Sequence, residues 1–316
     1  MTFSLIIPVY RNLDSLPALL ADLEECNRAI DGELEAVFVV DGSPDESFGF
    51  LQGALPRAAF ASQPIDLSRN FGSFAAIREG LTRARGRFFA NRAADLQEPA
   101  SLYLRIFEVL KSDEADIVLA VRQGRADGWM NWLSSSLFWS IYLRLVQRDM
   151  PPGGIDVFGC TDAVRQRLIA LSERNSSLVG LVVWLGYRRR TVDYRRLPRA
   201  HGRSAWSFRR RLAYMFDSLF SFTDAPIRLL TAAGVLGIGT SLGLGIVVLA
   251  ARLSGEIDVP GYSALAVLIL FFGAANLLGL GIIGSYVSRI FENSKGRPQA
   301  IVMRHLEFGG HSAGGR

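Results

Sequence analysis

The chain reads as an α/β protein. It combines a doubly wound, mostly parallel sheet of the nucleotide-binding type in residues 1–205 with helices at a membrane surface and two membrane-spanning helices. Three observations predict this. Apolar runs of strand length alternate with amphipathic helical patterns through the first 120 residues. Three of the strand ends carry polar groups: Asp41-Gly42-Ser43, Asp66-Leu67-Ser68-Arg69-Asn70, and Asp95-Leu96-Gln97-Glu98-Pro99. Two long runs, 229–251 and 259–288, contain no charged side chain.

In order, residues 3–9 and 35–41 are Val-, Ile- and Phe-rich runs of a length suited to strands buried on both faces. Between them Asp14-Ser15 followed by Pro17 starts a helix, with Leu16, Leu19, Leu20, Leu23 and Ile30 at helical spacing. This β-α-β unit requires parallel pairing. A strand near 62–67 comes next, then a helix from Ser73 with Phe74, Ile77 and Leu81 on one face, then the short strand before Asp95. Beyond Pro99 a helix turns Leu102, Ile106, Phe107 and Leu110 inward, and a strand runs over 116–121. Acids and amides at the C-terminal ends of parallel strands mark where open α/β sheets hold ligands, so the three polar strand ends predict one crevice.

Trp129, Trp132, Phe138, Trp139 and Tyr142 stud residues 129–147, either as a helix at the lipid headgroups or as a buried helix of the soluble domain. Pro151-Pro152-Gly153-Gly154 reads as a loop delivering Ile155-Asp156-Val157-Phe158, and a further helix leads to a strand around 187–194. Residues 206–228 are basic and then apolar, as expected of an amphipathic helix on an anionic leaflet. At about 1.5 Å per residue, the run 229–251 covers roughly 35 Å, enough for a hydrocarbon core of about 30 Å. Residues 252–258 are a short loop outside the cytoplasm, 259–288 form the second span, and 289–316 are a cytoplasmic tail. Arg228, Arg289, Lys295 and Arg297 flank the spans, so the positive-inside bias puts the large domain on the cytoplasmic side of a multi-pass cell-membrane protein. Gly239 and Gly243, and Ala275 and Gly279, permit close helix packing within the chain or between subunits.

Composition narrows the class. Of 316 residues 49% are apolar, and the formal charge is +5, nearly all of it from Arg, with Lys only at positions 111 and 295. No basic module interleaved with aromatics points to nucleic acid. Cys26 and Cys160 lie far apart without metal-ligand spacing, which fits a reducing compartment. The spans hold no ionisable residue, which argues against a channel or transporter.

Taken together, these residues resemble glycosyltransferase family 2, in its polyisoprenyl-phosphate glycosyltransferase branch, that of dolichol-phosphate mannose synthase. The likeness runs from Ile7-Pro8-Val9-Tyr10 to Gly296-Arg297-Pro298. It includes Val40-Asp41-Gly42-Ser43, Leu67-Ser68-Arg69-Asn70-Phe71-Gly72, Ala94-Asp95-Leu96-Gln97-Glu98-Pro99, Val121-Arg122-Gln123-Gly124-Arg125 and Arg199-Ala200-His201-Gly202-Arg203-Ser204-Ala205-Trp206. The resemblance implies a GT-A fold, a nucleotide-sugar donor, Mg2+ or Mn2+, and a polyprenyl phosphate acceptor on the cytoplasmic leaflet. It places the donor nucleotide against Pro8, Tyr10, Asp41 and Ser43 with Arg69 and Asn70 nearby, the metal on Asp95 and Gln97, and the lipid phosphate on Arg122, Arg125, Arg199 and Ser204. Asp156 resembles an acid the family sets beside the acceptor, where it would orient the acceptor or a sugar hydroxyl; otherwise it caps the next helix. Three departures stand out: Ala93 where a second acid is common, Val40 in place of the first of two acids, and Tyr10-Arg11-Asn12 after Pro-Val.

The implied chemistry is one direct displacement at the anomeric carbon, with inversion. A hard cation that keeps waters and bridges phosphates needs only one or two protein ligands. A phosphate monoester has a second pKa of about 6, so the acceptor needs positioning and charge neutralisation more than a strong base. Arginine forks suit that role. No Gln-x-x-Arg-Trp motif of processive synthases is present, so one sugar per lipid is expected, supplying cell-envelope glycosylation such as that of lipopolysaccharide. The alternative is a non-catalytic, membrane-anchored nucleotide-sugar-binding scaffold. A homo-oligomer is expected, with family precedent favouring a tetramer.

Overall fold

A computed structural model describes residues 1–123, 151, 155–171, 173, 177–198, 223, 225–254 and 261–309. The chain divides into two compact units, Met1–Tyr214 with Arg297–Arg316, and Met215–Gly296.

The first unit is built on one eight-stranded sheet of order β7-β5-β6-β4-β1-β2-β3-β8. Strands β1 (Phe3–Val9), β2 (Leu34–Val40), β3 (Ala61–Leu67) and β4 (Phe88–Asn91) are parallel neighbours, with Ile6 opposite Val37 and Asn91, and Phe38 opposite Pro64. Their apolar residues are buried on both faces because helices cover both. Helix α1 (Leu16–Ala29) takes Pro17 in its first turn, where the missing N–H is harmless, and buries Leu16, Leu19 and Leu23. Helix α2 is Ser47–Ala54, and α3 (Ser73–Arg83) buries Ala76, Ile77 and Leu81. Helix α4 (Ala100–Lys111) buries Leu102, Ile106, Phe107 and Leu110. Strand β5 (Ile117–Arg122) pairs in parallel with β7 (Arg189–Tyr194) at the far edge. Helices α5 (Asp162–Ala170) and α6 (Leu178–Trp184) lie between them in the chain.

Two strands depart from the sequence expectation. Ile155–Thr161, which follows the expected Pro-Pro-Gly-Gly loop and for which no strand is expected, is strand β6, antiparallel to both β4 and β5. The Pro-Pro-Gly-Gly before it supports a turn, but pairing in the sheet buries Ile155, Val157 and Phe158. The second is β8 (Val302–His305), which returns after the last helix and pairs antiparallel with β3.

In the second unit the two charge-free runs fall in helices α7 (Ala225–Leu253) and α8 (Tyr262–Ser294). A methyl group on Gly279 would lie 3.2 Å from Leu230 Cδ1, so the glycine is where α8 comes close to α7. Large apolar side chains, among them Leu229, Leu236, Phe271, Leu277 and Ile290, point outward. Among the described residues one segment, Phe271–Ser294, is long and apolar enough to cross a membrane, and α7 contributes a shorter apolar stretch, Pro226–Gly237. The aromatic stretch 129–147, residues 206–222 of the expected amphipathic helix, and residues 255–258 of the short loop lie outside the described residues.

Candidate active site

The C-terminal ends of β1, β2 and β3 stand side by side, and their loops are tied to one another. Pro8 is half-buried near the end of β1, and Tyr10 beyond it is exposed. Arg11 turns through a positive φ of 56°, and its amide donates to Ser43 Oγ at 2.8 Å. The Ser43 hydroxyl in turn donates to Asp45 Oδ1 at 2.6 Å. Asp45 also accepts from the Ser47 hydroxyl and from the Leu13 amide. Burial works against that carboxylate, but the Ser43, Ser47 and amide bonds outweigh it and hold the carboxyl below its ordinary range.

Asp41 is buried and fixes the neighbouring loop: Oδ1 accepts from Phe71 N at 2.7 Å and Oδ2 from Gly72 N at 2.8 Å. Burial pushes its carboxyl up, opposed by those two amides and by Arg69. Gly42, at φ 56°, lets the loop approach: a Cβ there would sit 2.2 Å from the backbone carbon of Arg69. Arg69 and Asn70 themselves are exposed, the guanidinium 4.3 Å from the centre of the Phe71 ring.

The second group of side chains gathers beyond β4. Asn91 spans the sheet, donating to the Asp156 carbonyl at 3.1 Å and accepting from Phe158 N at 2.8 Å. Asp156 thus sits on strand β6 beside the end of β4, held there by an amide the sequence had not singled out. Asp95 is half-buried and accepts from the Gln97 amide at 3.3 Å. Gln97 joins the loop to the segment after β7, with its side-chain nitrogen on the Leu197 carbonyl at 3.2 Å and its own carbonyl accepting from Leu197 N at 2.8 Å. Arg196 on that segment reaches Asp156 at 3.8 Å. Sequence reasoning gave Glu98 no role, yet it is buried here. Its carboxyl is raised to about 7 by burial, then by Asp95 and Asp156, with Arg196 and Arg92 opposing. Arg92 is fully buried, ion-paired with Asp22 and 4.9 Å from the Tyr103 ring.

Arg122 ends β5 opposite Tyr194. Several buried polar atoms around this end have no hydrogen-bond partner among the described residues: Arg92 Nε, Glu98 Oε2, Tyr103 Oη, Arg122 Nε, Tyr194 Oη and Arg196 Nε. Burial raises the Tyr194 hydroxyl, as do Asp156 and Glu98. Arg125, Arg199 and Ser204 lie outside the described residues.

Among the described residues no three His, Cys, Asp or Glu side chains form a full ligand set. The half-buried Asp95 carboxylate and the amide oxygen of Gln97 are oxygen donors of the kind a hard cation completed by phosphates and water takes.

Residues 4–170 match the model of glycosyl transferase family 2. The chain is 31% identical over 311 residues to an undecaprenyl-phosphate 4-deoxy-4-formamido-L-arabinose transferase of Pseudomonas paraeruginosa, covering 95% of this chain and 89% of the relative. It is 29% identical over 303 residues to a bactoprenol glucosyl transferase of Shigella phage SfV, covering 96% and 98%. Among solved structures, a mannosyltransferase of Pyrobaculum calidifontis in complex with GDP-Man and Mn2+ is similar with a TM-score of 0.47 and 16% identity, covering 92% of this chain and 87% of that one.

Proposed function

The chain belongs to glycosyl transferase family 2, and on that premise we propose that it moves one sugar, with inversion, from a nucleotide-sugar to a polyprenyl phosphate at the cytoplasmic face of a membrane. The observation that carries this reading is the gathering of Asp95, Glu98, Asp156 and Arg196 beyond β4, in the same sheet whose neighbouring strand ends carry the clamped loops. The two relatives named for a lipid differ in the sugar, so a polyprenol lipid is what the two names share, and one of them names its phosphate. The apolar outer faces of α7 and α8 support a lipid setting, and we read both as spans, with basic Arg228, Arg289 and Arg297 toward the cytoplasm.

In this reading Asp95 and Gln97 would hold Mg2+ or Mn2+. Bound there, such a cation would supply charge neutralisation for the nucleoside diphosphate that leaves. Tyr10, Asp41, Ser43, Arg69 and Asn70 form the nucleotide side, with Asp41 acting through the loop it clamps. Arg122, with Arg125, Arg199 and Ser204, draws the lipid phosphate, and no strong base is needed because that phosphate is largely a dianion near neutrality. Asp156, steadied by Asn91 and Arg196, orients the acceptor or a sugar hydroxyl. The product would feed glycosylation of the cell envelope.

The test is transfer by purified protein from a panel of nucleotide-sugars to undecaprenyl phosphate with Mg2+ or Mn2+. Asp95→Ala should reduce lipid-linked product by about 100-fold or more. No product with any donor and either metal would overturn the proposal.

A further inference from the structure

The short strand that follows the last helix lies against the nucleotide side of the sheet. Strand β3 contains Pro64, which lacks a donor, and without β8 it would be the sheet's edge, where such a proline is tolerated. The C-terminal segment covers that edge. Pro64 O accepts from Leu306 N at 3.1 Å, and Ser62 and Phe308 exchange backbone bonds of 2.9 and 2.8 Å. His305 Nε2 lies 2.8 Å from Gln63 Oε1, and Gln63 Nε2 donates to the buried Glu35 at 2.7 Å. Asp66, buried at the end of β3, is bound by Arg304, with Nε 2.9 Å from Oδ2, and the same guanidinium stacks 4.0 Å from the Phe48 ring. The sequence had placed Asp66 among the polar groups of the crevice; its carboxylate instead faces this strand.

The loop leaving β3 after Asp66 gives the clasp its meaning. Ser68 N donates to the Ile301 carbonyl at 2.9 Å, so the tail holds the first residue of the loop that carries Arg69 and Asn70. Two residues beyond Asn70 the loop reaches Gly72, held with Phe71 by Asp41. The loop is therefore gripped twice, by Asp41 from within the sheet and by the C-terminal strand from its edge.

We propose that residues 301–308 are a positioning element of the donor site: Arg304 on Asp66 and Ile301 on Ser68 set the Ser68–Gly72 loop so that Arg69 and Asn70 meet the nucleotide. The donor side is then completed by the part of the chain that follows the last apolar helix. This rests on the reading of the β1–β3 ends as the nucleotide side.

The full-length protein with Arg304→Ala, and with Arg304→Lys, tests it. Binding of UDP and of GDP is measured by calorimetry, and amide hydrogen exchange is followed at residues 68–72. Loss of one half-exposed ion pair predicts a dissociation constant for the preferred nucleotide raised about fivefold. It also predicts faster exchange at Ser68–Gly72 at temperatures well below unfolding, and recovery of both in the Lys variant. Unchanged affinity, or weakened affinity without faster exchange of the loop, overturns the proposal, and so does a Lys variant as weak as the Ala one. Failure of the underlying donor reading shows separately, as an Arg69→Ala, Asn70→Ala protein that binds both nucleotides as tightly as wild type.

Discussion

The two halves of the sheet's C-terminal rim are built on opposite terms. At the ends of β1, β2 and β3 the polar groups satisfy one another: Asp41 takes two amides, Asp45 takes two hydroxyls and two amides, and Ser43 ties one loop to the next. Beyond β4, β5 and β7 several buried polar atoms have no hydrogen-bond partner among the described residues, and Asp95 and Asp156 crowd the buried Glu98. A satisfied network fixes shape. Perturbed, incompletely paired groups are where proteins place chemistry. In the proposed reading the first rim is the preformed nucleotide side, and the second is where the charged part of the reaction is placed.

Three substitutions probe that contrast. The largest effect is expected on the satisfied side. Asp41→Ala strips two charge-assisted bonds from loop amides, each worth about 1.5–3 kcal/mol. Unfolding in urea should show a loss of about 3–5 kcal/mol together with weakened nucleotide binding. A loss below about 1 kcal/mol would mean the loop holds itself.

On the demanding side the sign reverses. The folded pKa of Glu98, about 7, lies above its ordinary value, so its contribution to stability is full at pH below about 4.5 and is lost as pH rises through 7. Glu98→Gln removes the ionisation. Without metal the variant should be more stable than wild type at pH 8 by about 3 kcal/mol and flatter in its pH profile. Equal stability of the two proteins from about pH 5 to 8 would remove the contrast.

The smallest change is Tyr194→Phe, which deletes a buried hydroxyl without a partner among the described residues. Stability should stay within about 1 kcal/mol of wild type. A greater loss would show that the hydroxyl is satisfied after all and that the far rim is less needy than it looks.

Much of the first rim is legible in the chain itself. Asp41-Gly42-Ser43 and Ser68-Arg69-Asn70 directly follow apolar runs, and parallel pairing of those runs leaves their ends side by side. Glu98 is harder to see, since an acid before a proline and a helix reads as a helix-start residue. Its meaning comes from Asp156 and Arg196, far along the chain and beyond a strand that resembles a loop. Asp66 misleads for the converse reason: its position after an apolar run marks a crevice, yet Arg304 claims it from a strand of four residues with no periodicity to announce it.

The sequence by itself determined the elements whose signal is local and repeated, namely the buried parallel strands, the amphipathic helices over them, the acid-bearing strand ends and the two charge-free helices. Burial of apolar surface at a fixed period needs no knowledge of distant residues. Tertiary structure alone decided the antiparallel insertion of β6, the return of β8 to the sheet edge and the environment of Glu98. Those depend on pairings across long stretches of chain, and a carboxyl's protonation follows the charges and water around it, which only the folded arrangement supplies.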